Sequence, residues 1–316
     1  MHTLKLFLTI ALINTAIISS AIAEDGNEGK TQVIYVESAK YTLPLLEKWV
    51  TEYNKTNPEV RVEWVGKNAE NIDLRIVANV VSDDETLNDE DGEAITYVGR
   101  SALLPVTTKE NPLYEQIARK KFGKKELKRL FFADDPFADE SPSKDKLKEQ
   151  LTVYSGSGKA SGATLFASFF GQSSSDFRGK KIQGDDIYLL QAIGKDPTGI
   201  TFNNLSYIYD LNDRQLKDGI SLLPLDVKKN QLEIIKSENL DETISLLENE
   251  KVELIPVLNI GFAYNGQTET AEAGQFLKWI ITEGQKFNHE FGFLQVDKKT
   301  LSYRKNILGD IFLTNK

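Results

Sequence analysis

The sequence predicts an α/β protein built in layers, with mixed sheets and enough chain for two domains of ordinary size. Segments with alternating apolar residues are followed repeatedly by segments with apolar residues three and four positions apart, which is the order of strands and helices in an α/β chain. The chain has 316 residues and 0 cysteines. Each domain must therefore be stabilised by burial of an apolar core, without disulfide bonds.

The first residues have the features of an export signal. Lys5 gives a short positive region, Leu6–Ile18 an apolar run, and Ala21-Ile22-Ala23 the small-x-small pattern of a cleavage site. We expect a signal peptide over 1–23, cleavage before Glu24, and a mature protein that is soluble in the periplasm or secreted. Without a cysteine, no lipid anchor is expected.

The next elements follow from local periodicity and from Gly and Pro breaks. The expected elements of this first part are a strand over Gln32–Val36, a helix from Tyr41 to Tyr53, a strand over Val60–Trp64, a helix over Asn71–Val80, a solvated acidic loop over 82–93, and a strand over Ala94–Val106 that crosses from one lobe to another.

The remaining two thirds of the chain continue the same alternation. The expected elements here are a basic helix within Arg119–Arg129, a surface insertion over Asp134–Gln150, a strand over Leu151–Tyr154, helices over Ala163–Phe170 and Asp185–Ile193, a strand over Gly199–Phe202, a second crossing over Ile220–Asp226, a helix over Leu240–Asn249, a strand over Leu254–Val257, and helices over Thr270–Gln285 and Lys298–Phe312. The basic helix is explained as a solvated amphipathic helix without a partner.

Composition argues against several classes of function. The formal net charge is −9, which disfavours nucleic acid and anionic membranes as partners and requires any anion site to be local. His289 would be the only histidine after cleavage, and no G-x-S-x-G motif accompanies it, so a histidine metal centre or a Ser-His-Asp triad is not expected. We therefore predict no enzyme, no metal and no cofactor.

The stretch from Leu151 to Phe170 is the best candidate for a ligand site. A short strand leads through a loop of Gly and Ser residues into a helix, whose first turn offers unpaired N–H groups and the positive end of a dipole. Lys159 adds a positive charge. The pattern fails the nucleotide-binding P-loop, which requires Gly where Val153 stands and Ser or Thr where Ala160 stands. A plain Gly/Ser turn before the helix explains this stretch equally well.

Several motifs together resemble the periplasmic phosphate-binding proteins of ABC transporters. These motifs are Ser38–Trp49 after the first strand, the Ser161-Gly162 helix start, Pro197–Asn203, and Phe276–Lys286 followed by Phe291–Leu294. The resemblance implies a type II periplasmic-binding-protein fold, in which two α/β lobes with mixed sheets are joined by two extended hinge crossings. It divides this chain into lobe 1 over 24–98 and 227–316 and lobe 2 over 99–226.

The resemblance also implies an anion site between the lobes. Alignment on Pro44 places Lys40 and Tyr41 in the loop that donates to the anion. The arginine of the family falls on Ser157, its proton-accepting aspartate on Lys159, and its helix-start threonine on Ala163. A further family aspartate falls near Asp83 or Asp84. The predicted ligand-binding residues are Ser38, Lys40, Tyr41, Ser155, Ser157, Lys159, Ser161 and Gly162.

The implied function is capture of an oxyanion, phosphate before others, for uptake through an ABC transporter permease. We expect a monomer that does not bind nucleic acid. The changed residues at 157 and 159 leave an alternative open, namely an exported interaction or scaffold module that keeps the fold and has no small-ligand site.

Overall fold

A computed structural model describes residues 32–66, 69, 71–80, 94–134, 146–157, 162–264, 270–297 and 301. These residues belong to one compact unit. The predicted signal peptide, the acidic loop and nearly all of the predicted C-terminal helix lie outside the described residues. Within the described ranges, no helix has the length and apolar character needed to cross a membrane.

The described residues form a mixed sheet with the strand order β2-β1-β3-β9-β4-β7-β5-β6, and β8 also pairs with β4. The strands are β1 Gln32–Glu37, β2 Val60–Val65, β3 Leu74–Val80, β4 Ala94–Thr108, β5 Thr152–Gly156, β6 Lys180–Ile182, β7 Gly199–Asn204, β8 Ile220–Leu222 and β9 Val257–Tyr264. β1 is parallel to β2 and β3, and β5 is parallel to β6 and β7. β4 is antiparallel to β7, β8 and β9.

Helices follow or precede most of these strands. They are α1 Leu43–Asn54, α2 Tyr114–Ala118, α3 Lys124–Phe131, α4 Lys146–Gln150, α5 Gly162–Phe169, α6 Ile187–Lys195, α7 Leu205–Ile208, α8 Lys229–Lys236, α9 Leu240–Asn249 and α10 Ala271–Thr282. A 3₁₀ turn over Lys40–Thr42 leads into α1. Two further 3₁₀ turns, Gly284–Phe287 and His289–Phe291, follow α10.

β4 joins the two ends of the sheet. Its first part, from Ala94 to Ala102, pairs with β9, and its second part, from Leu103 to Thr108, pairs with β7 and β8. Nearly every residue of this strand is buried, as expected for a strand covered on both faces. The predicted crossing strand over Ala94–Val106 is therefore confirmed.

Two clusters of buried apolar side chains flank the ends of β4. The larger cluster surrounds α5, where Phe166 stacks on Phe202 at 4.1 Å between ring centroids. The smaller cluster surrounds α1 and α10, where Trp49 Nε1 donates to the Gly284 carbonyl at 3.0 Å. α8 and α9 contribute to the larger cluster. The division into lobes over 24–98 with 227–316 and over 99–226 stays a prediction.

The segment 71–80 is the clearest difference from the sequence prediction. It was expected to be a helix, but Leu74–Val80 is strand β3, which is parallel to β1 and antiparallel to β9. Its apolar residues fit helical spacing, but β-branched Ile76 and Val77 are well suited to a strand between two partners. Pairing on both sides satisfies its backbone, which outweighs the helical spacing.

The second predicted crossing is also different in the structure. Ile220–Leu222 forms the short strand β8, which pairs with the end of β4 that also binds β7. The strand that runs between the clusters beside β4 is β9, with Leu258 in the larger cluster and Ile260 in the smaller one. The prediction at 254–257 found only the first residue of β9.

Candidate functional site

The loop after β1 closes on itself. Ser38 Oγ lies 2.9 Å from Thr42 Oγ1, and these two oxygens lie 3.2 Å and 2.8 Å from the Ala39 carbonyl oxygen, so the two hydroxyl protons are shared among three contacts. Lys40 is exposed. Tyr41 is partly buried, and its ring lies 6.1 Å from that of Phe293. The Ser38 hydroxyl, which the sequence predicted as a ligand contact, therefore shapes this loop.

The carboxyl end of β5 places a buried hydroxyl beneath α5. Val153 pairs with Ile200, so that Ser155, two residues further on, lies beside Phe202 on the same sheet face. Phe202 stacks on Phe166 of α5, so this face is the one that α5 covers. Ser155 is 0 % exposed, and none of the described residues forms a hydrogen bond with its Oγ. Within the described part of the site, this donor next to the helix is therefore unused.

A carboxylate meets the first residue of α5. Asp186 Oδ2 accepts the Gly162 N–H at 2.9 Å, across 24 positions of sequence. The backbone of Asp186 is held in turn by Asn203, whose Nδ2 donates to the Asp186 carbonyl at 2.7 Å. Asn203 is buried on β7, and Asp186 immediately precedes α6. Three elements therefore position this carboxylate at the start of α5.

The surroundings of Asp186 are acidic and phenolic. Burial raises its pKa to about 6, the Gly162 N–H opposes that rise, and the charge of Asp185 adds to it. Burial also raises the pKa of Tyr41, and the charge of Asp186 raises it further. Burial raises the pKa of Tyr207, with additional contributions from a hydrogen bond to Asp185 and from the charge of Asp186. Tyr41 after β1 and the turn before α6 therefore lie close together.

This arrangement can hold an anion at a helix start, and it does so with a group of the protein itself. A free N–H in the first turn and the helix dipole both favour a negative charge. Among the residues that the structure describes, no lysine or arginine forms an ion pair with Asp186, and no group of three or more potential metal ligands is present. The N–H groups of the first turn therefore make this position suited to an anionic oxygen.

The structure places the predicted site residues in three ways. Tyr41 and Gly162 both lie near Asp186, and Ser155 lies under the same helix. Ser38 is engaged within its own loop, while Lys40 and Ser157 are exposed. Lys159 and Ser161, like Asp83 and Asp84, fall outside the described residues. The roles of all these residues in ligand binding stay predictions.

Sequence reasoning missed Asp186, Asn203 and Tyr207. The pair Asp185-Asp186 directly after Gly184 carries the usual signal of a helix start, and Asp185 does accept the N–H of Ile187 at 2.9 Å. Nothing in that local signal indicates that the second aspartate reaches the start of a different helix.

Comparisons with known proteins support the fold. A scan against protein-family models finds no match, and a search of curated proteins finds none either. Among solved structures, a Clostridium perfringens protein with bound phosphate, described as a phosphate ABC transporter substrate-binding protein, is 12% identical with a TM-score of 0.57. An ABC-type phosphate transport receptor from Vibrio cholerae is 11% identical with a TM-score of 0.54. In each case the similarity covers 84% of this chain and 100% of the other.

At this level of identity the similarity establishes the fold and nothing finer. The chain has the type II periplasmic-binding-protein fold. It has a mixed α/β architecture, and the strands β4 and β9 lie in the middle of the sheet and connect its two ends. The fold that the sequence resemblance implied is therefore confirmed.

Proposed function

We propose that this chain is an exported solute-binding protein that captures an oxyanion, phosphate before others, for uptake by an ABC transporter. The observation that carries the proposal is the Gly162 N–H at the start of α5, which binds a carboxylate oxygen at 2.9 Å in a fold shared with two phosphate-binding receptors. A position that holds one anionic oxygen is chemically suited to hold another.

Polar groups from different elements converge at this position. The loop after β1 brings Tyr41 close to Asp186, and the buried Ser155 hydroxyl lies beneath α5 with no hydrogen-bond partner among the described residues. Convergent donors in a cleft are typical of small-ligand sites. We assign ligand contacts to Tyr41, Ser155 and Gly162, and retain Lys40, Lys159 and Ser161 as the predicted source of positive charge and further donors.

A second candidate is a scaffold or interaction module that has kept the fold and lost the ligand. Its supporting observation is the same hydrogen bond, because Asp186 already satisfies the donor that an anion would need. Ser157 replaces the arginine of the resembled family, which also weakens an anion site. The two candidates differ in whether any free anion binds.

Thermal unfolding of the purified exported protein against phosphate, sulfate, arsenate, molybdate and small carboxylates separates the candidates. A ligand at a hundred times its dissociation constant adds about 2.7 kcal/mol to the free energy of unfolding, enough to raise the melting temperature visibly. A selective rise with phosphate supports the receptor. No rise with any anion, at neutral or acidic pH, supports the scaffold.

Binding is proposed to draw two lobes together about the strands that run between the clusters. β4 has an irregular pairing between Tyr97 and Gly99, a natural place for bending. Small-angle scattering should show a smaller radius of gyration with the anion that raises the melting temperature. Identical profiles with and without it would argue against closure.

A further inference from the structure

We propose that the Asp186 carboxylate fills the position of a ligand oxygen at the first turn of α5, so that a fully ionised oxyanion binds only after Asp186 has taken up a proton. This inference rests on the proposed function, because it concerns the same site. It adds an internal competitor that makes anion capture stronger in acid.

The geometry of the Gly162 contact carries the first step. The donor is the N–H of the first residue of an eight-residue helix, and the acceptor is Oδ2 of Asp186 at 2.9 Å. A Cβ built on Gly162 would lie 2.7 Å from the same oxygen, so the carboxylate fits tightly against the backbone. An incoming oxyanion that uses this N–H must take the place of that oxygen.

Electrostatics carries the second step. Among the described residues, the groups that interact with Asp186 are Asp185 before α6, Tyr41 from the turn before α1, Tyr207 from α7, and the Gly162 N–H from α5. Two of these are neutral phenols and one is a second carboxylate. An ionised Asp186 therefore repels a dianion at short range. A protonated Asp186 accepts the Gly162 N–H less strongly and can itself donate a hydrogen bond.

The buried hydroxyl of Ser155 is a second, independent indication of a ligand at the start of α5. Ser155 Oγ is fully buried on the sheet face that α5 covers, and it has no hydrogen-bond partner in the part of the chain that the structure describes. Buried hydroxyls in proteins are normally hydrogen-bonded, so this hydroxyl is available to a partner in another state of the protein. A bound oxygen acceptor at the start of α5 would supply that partner.

The test measures sulfate binding by calorimetry at about pH 5 and about pH 7.5, because sulfate keeps both negative charges across this range. With a pKa of about 6 for Asp186, the neutral fraction falls about 30-fold between the two conditions, and the apparent affinity should fall by the same factor. Asp186→Asn should bind sulfate at the higher pH about as well as the wild type does at the lower pH, with less than about a twofold dependence on pH.

Asp218→Asn is the matched control. It removes one negative charge from an exposed position, and it should keep the full pH dependence of the wild type. Wild-type sulfate affinity that is unchanged by pH overturns the inference even if Asp186→Asn fails to fold. Sulfate affinity in Asp186→Asn that still falls with pH as in the wild type also overturns it.

Phosphate binding separates failure of this inference from failure of the proposed function. If the wild type binds phosphate, and binds sulfate equally well at both pH values, the proposed receptor function is supported and the proposed role of Asp186 is contradicted. If neither the wild type nor Asp186→Asn binds either anion at either pH, the proposed function and the proposed role of Asp186 are both contradicted.

Discussion

Two regions of this molecule share one plan, strand then loop then helix, and stabilise it differently. After β1, the loop is closed by neighbours in sequence, because the hydroxyls of Ser38 and Thr42 lie 2.9 Å apart and within hydrogen-bond distance of the Ala39 carbonyl. After β5, the helix start is capped by Asp186, which is 24 positions away. The first region is a local structure that needs no ligand. The second depends on a distant carboxylate, which we propose an oxyanion can replace.

The largest expected effect comes from removing the aromatic support of the second region. Phe166→Ala should lower the free energy of unfolding by about 3–5 kcal/mol, because its ring is buried against Phe202 at 4.1 Å and Phe131 at 5.1 Å. Chemical denaturation measures this change. A loss below about 1 kcal/mol would mean that α5 does not depend on this stack for stability.

The corresponding test in the first region is Trp49→Phe. Trp49 is 2 % exposed, and its Nε1 donates to the Gly284 carbonyl, which ties α1 to the turn after α10. Removing the donor takes a buried hydrogen bond from this carbonyl, and the smaller ring leaves a cavity, so the change should cost about 1–3 kcal/mol. If denaturation shows no loss, this hydrogen bond is not what fixes α1 to the C-terminal elements.

Asp186→Asn sharpens the comparison through pH. The pKa of Asp186 is about 6 in the folded protein, above the ordinary value of 3.8, so the folded state holds the proton more tightly. Stability from this group is therefore present in acid and is lost as pH rises through about 4 to 6. At about pH 7.5 the variant should be more stable than the wild type, by an amount on the order of 1–3 kcal/mol.

Thermal melts of both proteins at several pH values measure that difference. The gain should shrink toward acid, where wild-type Asp186 is also neutral. If the variant is less stable than the wild type at every pH, the hydrogen bond from the Gly162 N–H to the Asp186 carboxylate stabilises the folded protein by more than burial of the negative charge destabilises it.

Ser38→Ala should have the smallest effect. It removes a part-buried hydrogen bond to Thr42, which still has the Ala39 carbonyl as a partner, so the loss should be about 0.5–1.5 kcal/mol. Ser155→Ala is the paired variant in the second region. Because no described residue forms a hydrogen bond with Ser155 Oγ, this change should be neutral or stabilising in the free protein and should weaken oxyanion binding. Denaturation together with calorimetry distinguishes the two serines.

Local sequence determined much of this fold. The strand β1 with helix α1, the strand β5 with helix α5, and the long strand β4 were all predictable, because the spacing of apolar residues within each segment already sets which face is buried. The Gly/Ser stretch before α5 also indicated a helix start suited to an anion. These features depend on a few neighbouring residues, which a single sequence contains in full.

Only the tertiary structure decided the features that depend on distant partners. Leu74–Val80 became a strand because β1 and β9 provide pairing on both sides, which outweighs helical spacing. Asp186 reached Gly162 because β7 and α6 carry it there, and burial in that place raised its pKa. Strand pairing and desolvation act between residues far apart in sequence, so local periodicity cannot predict them. The contact of Asp186 with Gly162 and the raised pKa of Asp186 therefore depend on the tertiary fold.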